Sequence, residues 1–395
     1  MKNHYYFRHR HPSGITLIEV MFSAGIALFG VLVVVALIPL AGNEVRIGLQ
    51  TDRMAALGRN AVKEFDIRGM RNPNQWCRFD GSDVFRNDAV GNVVWFTGEP
   101  PGPNRSRLER QPQAYAIDPR FVSRHGEVSF PYSDNAKWSM PRITLRTKHP
   151  TQILVNGNPA YLPLGPLVAD QLFMARDDLV LLFPDDRTLL SRPSFGSPVR
   201  KRQYRGELSW MATVVPLDIN VKQQLDHQYH DEYLLSIVVF SARNMALEKA
   251  NAADAEVADV PERTTNVRMV SGGASGGEVQ LRHPIPKNII NRKLYAENVL
   301  KLQTNSWVLL YGNVAWHNPK QKTREFNRRK RYYRWYRVLN ASQVTFNKTV
   351  ATRNVMLHGG DWDIRLPNKN TRATIMAGVV GVFERRIRLE NSSLW

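Results

Sequence analysis

The chain has 395 residues, with 54 lysines and arginines against 35 aspartates and glutamates, a formal charge of +19. That length suffices for one large domain or two smaller ones, and so large a charge bears on partners and solubility, not on fold. The single cysteine, Cys77, excludes any disulfide within the chain.

Residues 1–14 form a basic leader with Lys2, Arg8 and Arg10 and no acid; its loss would take three charges and leave +16. Residues 15–42 are an apolar run that exceeds the roughly 20 residues needed to span a bilayer, which predicts a transmembrane helix. The basic residues before it hold that end in the cytoplasm and place the chain beyond Gly42 outside. An ordinary secretory signal has an apolar core of roughly 7–15 residues, and this one is about twice that. Leu40-Ala41-Gly42 is like the start of a lipoprotein box, but Asn43 comes next and offers no thiol. The one charge in the run is Glu19. A carboxylate within a bilayer costs about 2.5–3.5 kcal/mol on insertion scales, so its place calls for a reason. Pro39 removes a backbone hydrogen bond and predicts a bend.

Residues 43–72 continue the helix in amphipathic form. Ile47, Met54, Leu57, Ala61 and Phe65 share one apolar face, while Arg46, Arg53, Arg59 and Lys63 point to water. Gly48 and Gly58 should each cost about 1 kcal/mol against alanine. Gly69 and Asn72-Pro73 end the helix.

Gly14-Ile15-Thr16-Leu17-Ile18-Glu19-Val20 resembles the cleavage and methylation motif of type IV prepilins and type II secretion pseudopilins. The resemblance implies that a prepilin peptidase cuts between Gly14 and Ile15 and methylates the new terminus. It implies that Glu19 is the assembly carboxylate, paired with a terminal amine, and that Pro39 is the helix bend. Ile15 stands where the family usually has phenylalanine. The residues agree with this on physical grounds. Positions four apart lie on one helical face, so Glu19 sits beside the Ile15 amine and complements the positive end of the helix dipole. A buried ion pair of this kind is best attested as a device for register. Many major pilins close with a disulfide, which one cysteine cannot form, and this tilts the reading towards a pseudopilin or minor pilin. The implied partners are the peptidase, other pilin or pseudopilin subunits and the cytoplasmic membrane. The implied location is single-pass, N-terminus cytoplasmic and C-terminal domain extracytoplasmic, with later entry into a filament or pseudopilus.

Residues 73–395 read as an extracytoplasmic β-rich globular domain. Short apolar runs bounded by turn residues predict strands at 93–97, 143–147, 179–183, 208–217, 233–242, 307–311, 332–340 and 375–389. Residues 245–260 predict a short helix. The glycine-rich Ser271 to Gly277 reads as a loop or linker, within a possible subdomain boundary near 246–278. The fold class is α+β, a long N-terminal helix packed on a mostly antiparallel, β-rich domain.

The densest chemical feature is residues 320–337, with nine basic side chains against one acid, Glu325, and aromatic rings between them. Arg328, Arg329, Lys330, Arg331 and Arg334 are candidates to bind a polyanion, since cations beside stackable rings suit single-stranded nucleic acid. The plainer reading is a half-buried strand in which Tyr332, Arg334 and Tyr336 alternate with Tyr333, Trp335 and Arg337. Arg200 to Arg205 is a second basic cluster. The acidic pairs Asp177-Asp178, Asp185-Asp186 and Asp361-Trp362-Asp363 lack calcium-loop spacing. His227 and His230, near Asp226, Asp231 and Glu232, fit a solvated turn. Cys77 has no CxxC partner, and no nucleophile elbow, phosphate loop or dinucleotide fingerprint is present. The expectation is a non-catalytic subunit without metal or cofactor.

Overall fold

The computed structural model describes residues 16–82, 84–87, 93–95, 114–126, 128–132, 139–147, 153–155, 158–160, 162–175, 179–180, 203–204, 207–217, 232–245, 261–273, 276–287, 289, 291–315, 326–360, 362 and 371–390. The chain divides into two compact units, Met1–Arg53 and Met54–Trp395. One helix, α1 (Leu17–Ile67), contributes to both and is helical on either side of Pro39.

The first unit contains the apolar part of α1, Leu17–Pro39. From Leu17 to Ile38 its large side chains are exposed all round, Leu17 at 81% and Phe29 at 75%.

In chain order the second unit contains β1 (Trp76–Cys77), β2 (Tyr115–Ile117), α2 (Pro119–His125), β3 (Arg142–Leu145), α3 (Pro166–Phe173), β4 (Leu208–Pro216) and β5 (Glu232–Ser241). It continues with β6 (Glu262–Gly273), β7 (Gly276–Pro284), α4 (Arg292–Val299), β8 (Trp307–Ala315), β9 (Phe326–Ala341), β10 (Thr345–Phe346), β11 (Val350–His358), β12 (Thr371–Met376) and β13 (Val379–Arg388). Three two-stranded pairs, such as Phe85–Asn87 with Val93–Trp95, stand apart from these.

Six strands form a sheet in the order β1-β3-β2-β4-β5-β13, antiparallel except for the parallel β2–β3 pair. Its central strands β4 and β5 are nearly continuous apolar runs, as strands covered on both faces should be. On one face Trp210, Ala212, Val214, Leu235, Ile237 and Val239 share a buried cluster with Ala61 and Phe65 of α1, and Met54, Leu57 and Val62 are partly buried against it. Ile47, first in the predicted stripe, is 50% exposed. Gly58 is not merely a weak helix residue. The Phe383 ring fills the place where its Cβ would be, and Gly381 similarly makes room for the Met54 sulfur.

The other face of the sheet meets a second body. Strands β7-β6-β12-β8-β9-β11 pair in that order, and β11 pairs back onto β7, so six antiparallel strands close into a barrel. Closure removes free edges. Val267, Val279, Leu281, Val308, Leu310, Tyr336, Val338, Val355, Leu357, Ala373 and Ile375 fill the interior together with Tyr295, Ala296 and Val299 of α4. Leu309, Tyr311, Tyr333 and Trp335 face outward and pack on Met211, Val215, Val238 and Phe240 of the sheet. Trp335 Nε1 also donates to Thr213 Oγ1 at 3.3 Å.

The barrel lies between β5 and β13, which are adjacent antiparallel strands of the sheet, Glu232 opposite Arg388 and Phe240 opposite Val379. It is thus an insertion within a strand pair. Two sequence expectations change as a result. The Ser271 to Gly277 stretch is the tip of a barrel hairpin, with Gly272 opposite Gly277 and Gly273 opposite Gly276. Gly276 has φ +124, and a Cβ there would strike the Leu357 carbonyl. The expected strand over 375–389 is two strands, β12 in the barrel and β13 in the sheet, separated at Gly378 with φ +79. The short helix expected at 245–260 falls almost wholly outside the described residues.

Candidate functional site

The N-terminal helix is the first place where the chain leaves chemistry unfinished. The Thr16 carbonyl accepts from the Glu19 amide at 3.0 Å and the Val20 amide at 3.2 Å, so Glu19 lies in the first turn. Its side chain is exposed, and the Ser23 hydroxyl donates to its backbone carbonyl at 2.5 Å. Leu17 to Pro39 is a segment of 23 residues containing an 18-residue window of mean hydropathy 2.7, and none of that window is buried. At 1.5 Å per residue the segment is about 35 Å long, slightly more than a hydrocarbon core. Among the described residues the chain therefore has one helix long and apolar enough to cross a membrane. Gly14 and Ile15 lie outside the described residues.

The basic stretch of the sequence falls on β9. Arg331 is opposite Asn313 in the ladder, and Arg328, Arg329 and Lys330 precede it along the strand. Their side chains lie outside the described residues. Beyond them Tyr333, Trp335 and Tyr336 are buried and Arg337 is exposed. Three of the interleaved rings are thus core, Tyr333 and Trp335 against the sheet and Tyr336 inside the barrel, so the strand is covered on both faces here and not half-buried, and these rings are not free to stack on bases. Arg334 is different. Opposite Leu310 on the interior side of the barrel wall, it is half-buried and makes no hydrogen bond among the described residues, and its Nε is sealed from solvent. Its guanidinium lies 5.5 Å from the Tyr332 ring centroid. The Trp362 ring meets Tyr332 edge-on at 5.2 Å and Tyr336 at 6.2 Å, and its indole Nε1–H is buried with no acceptor among the described residues.

A second cluster, unsignalled in the sequence, lies where the sheet meets the barrel. Arg142 donates to Asp118 Oδ2 at 2.8 Å and to the two Glu262 oxygens at 2.6 and 2.8 Å. Arg243 donates to Asp118 at 3.0 and 2.6 Å, and the Tyr132 amide reaches Glu262 at 2.5 Å. All four charged side chains are at most 3% exposed. Phe121 stacks under Arg142 at 3.9 Å and Phe240 under Arg243 at 4.4 Å. Burial opposes a charged Asp118, yet the Arg243 and Arg142 guanidinium groups outweigh it and hold the carboxyl below its ordinary range. The set is electrically neutral and bonded on both sides, which is the form a structural cluster takes. No sequence pattern marks it, because its bonded charged pairs are 24 to 125 residues apart.

The α4 end of the barrel holds three more titratable groups. Arg263 donates to the Asn298 and Lys301 carbonyls, and Arg353 to the Leu300 carbonyl at 2.7 Å, so two cations meet the negative end of α4. Burial, with no carboxylate to offset it, pushes Arg263 down to about 10. His283 places Nδ1 3.1 Å from the Thr264 carbonyl and Nε2 3.3 Å from the Tyr295 hydroxyl. Burial, helped by the Arg263 charge, holds its pKa below the ordinary value.

Cys77 is buried. Among the described residues no three His, Cys, Asp or Glu side chains converge as a metal set. The acidic pairs at 177–178 and 185–186, Asp361, Asp363, His227 and His230 lie outside the described residues, as does the second basic cluster apart from Gln203 and Tyr204. Comparison with protein families and with curated proteins finds no match.

Proposed function

We propose that this chain is a non-catalytic pilin-like subunit, cut by a prepilin peptidase between Gly14 and Ile15 and assembled as a minor component of a type IV pilus or type II secretion pseudopilus. In this reading α1 first anchors the protein in the cytoplasmic membrane, with the β-rich domain outside. Apolar helices of several subunits then bundle, and Glu19 pairs with the methylated amine of Ile15. The observation that carries the reading is the register: a glycine, then an apolar helix exposed on every side, with its one acid in the first turn. Such a helix has no partner within its own described residues, which suits lipid at one stage and neighbouring copies at the next. An acid placed there gains from the helix dipole and from an amine four residues before it. The globular domain, enlarged by a barrel, suits a tip or low-copy position.

Mass spectrometry of the protein from cells with an active prepilin peptidase tests the reading directly. The expected N-terminus is a methylated Ile15; a chain that keeps its leader in those cells ends it. Glu19→Val should abolish incorporation into filaments while membrane insertion persists, because only the pairing carboxylate is lost. Normal assembly of that variant would leave Glu19 without the proposed role.

A further inference from the structure

We infer that the mouth of the barrel beside Arg334 and Trp362 is a binding site for a small oxyanion, a carboxylate or phosphate group. The inference stands apart from the processing of the N-terminus. It begins with two donors that the fold leaves unmatched. Among the described residues the Arg334 guanidinium makes no hydrogen bond, and both its Nε and the Trp362 Nε1 are buried without an acceptor. Leaving such groups unpaired is costly, more so for a charged one, and buried donors in native proteins are nearly always satisfied. Both are donors, so the missing group must offer acceptor oxygens. A planar guanidinium fork matches a carboxylate or phosphate.

The surroundings hold these donors in place. Tyr332 lies beside the guanidinium and its ring meets Trp362 edge-on, which orients both. Gly360 leaves room for the guanidinium, since a Cβ there would fall on its terminal nitrogen. Gly359 does the same for the Tyr336 ring. Arg334 and Trp362 are each only part-buried, and the sealed atoms are Arg334 Nε and Trp362 Nε1, so a small ligand first meets the terminal nitrogens of Arg334. Glu384 of β13 feels the Arg334 charge, but its carboxylate accepts from Ser236 at 3.3 Å and makes no hydrogen bond to Arg334.

The test titrates the full chain in detergent with inorganic phosphate and, separately, with acetate, reading heat and thermal midpoint. Saturable binding of at least one anion is expected, with a rise in midpoint. Arg334→Gln should weaken it about tenfold or more, and Trp362→Phe, which keeps a ring and removes one donor, by less. Gly360→Ala should also weaken it, since it displaces the guanidinium without changing charge. That variant and Trp362→Phe carry the test should Arg334→Gln fail to fold. A phosphate-only response assigns phosphoryl groups and an acetate-only response carboxylates. Vesicles of phosphatidic acid in phosphatidylcholine, competed by free phosphate, would identify a lipid headgroup as the source. The inference is overturned if neither anion saturates, or if binding is indifferent to Arg334→Gln and Gly360→Ala. It is also overturned if only a single-stranded oligonucleotide binds and Arg334→Gln leaves that binding unchanged.

Discussion

Arg142 and Arg334 are both arginines on barrel or sheet strands, both beside aromatic rings, and they end in opposite states. Both terminal nitrogens of Arg142 are engaged, by Asp118 and by Glu262, and its side chain is 0% exposed. Arg334 donates to nothing among the described residues and keeps an opening to solvent. The first arrangement joins β3 of the sheet to the first residue of the barrel and consumes all the charge it brings. The second has charge, shape and rigidity left over. The Nε of each arginine is buried without an acceptor among the described residues, so what separates the cation that holds the fold together from the one available to a ligand is the engagement of the terminal nitrogens.

The comparison is broken most severely by unbalancing the Arg142 cluster. Glu262→Gln leaves Arg142 facing an amide, and Arg142→Gln strands both Asp118 and Glu262 in a buried setting. Removing one member of a buried pair costs about 3–5 kcal/mol, so urea unfolding should show a loss of that order in each. The pair of changes together should cost less than their sum, since the second removes the charge stranded by the first. A loss below about 1 kcal/mol in both would show that the cluster does not hold sheet and barrel together.

A smaller effect should appear with pH. The folded pKa of His283 lies below that of the unfolded chain, because burial and the Arg263 charge disfavour the imidazolium. The unfolded chain therefore binds more protons below about pH 6.5, and stability present above that pH is lost as pH falls towards the folded value. The unfolding midpoint should drop from pH 7 to pH 5 in the native protein and drop less in His283→Gln. Asp118 acts in a lower window. Its folded carboxyl is depressed, so its contribution is present above about pH 3.9 and disappears only in stronger acid. Equal pH slopes in native and variant protein would show that His283 is not held neutral.

These clusters also mark how far sequence reasoning reaches. Helix α1 is legible because Leu17 to Ile38 is apolar sequence broken by one charge and because Leu57, Ala61 and Phe65 keep helical spacing. Strands β4 and β5 are legible because both faces are covered, so Val214, Leu235 and Val239 sit in continuous apolar runs. Strands β6, β7 and β11 escape notice for a physical reason. Their buried apolar residues fall at inward positions while Val270 and Met356 are exposed, and towards the α4 end the inward series passes into Arg263, His283 and Arg353, which serve carbonyls and a hydroxyl there. Polar residues at inward positions erase the period-two signal. Closure of the barrel is hidden for another reason: β7 and β11 pair residues more than sixty apart, such as Leu281 with Arg353, and nothing local announces it. At the candidate sites, Glu19 and the basic stretch of β9 are visible as residue types. The idle state of Arg334 and the missing acceptor of Trp362 appear only when the wall is built.

The smallest expected effect sharpens the comparison most. Arg334→Gln removes a cation that has no hydrogen bond to lose among the described residues. Its nearness to Tyr332 contributes about 0.5–1 kcal/mol at an exposed site, and the weakened attraction to Glu384 adds a little. Against these stand the relief of a partly desolvated charge and the freedom regained by a shorter side chain. The terms oppose each other, so the stability change should stay within about 0.5 kcal/mol, as for a surface substitution that touches no special feature. A loss above about 2 kcal/mol would place Arg334 with Arg142 among the cations that build the fold, and the distinction between the two would vanish. A neutral or slightly stabilised variant that no longer binds phosphate or acetate would show an arginine kept at no benefit to the fold.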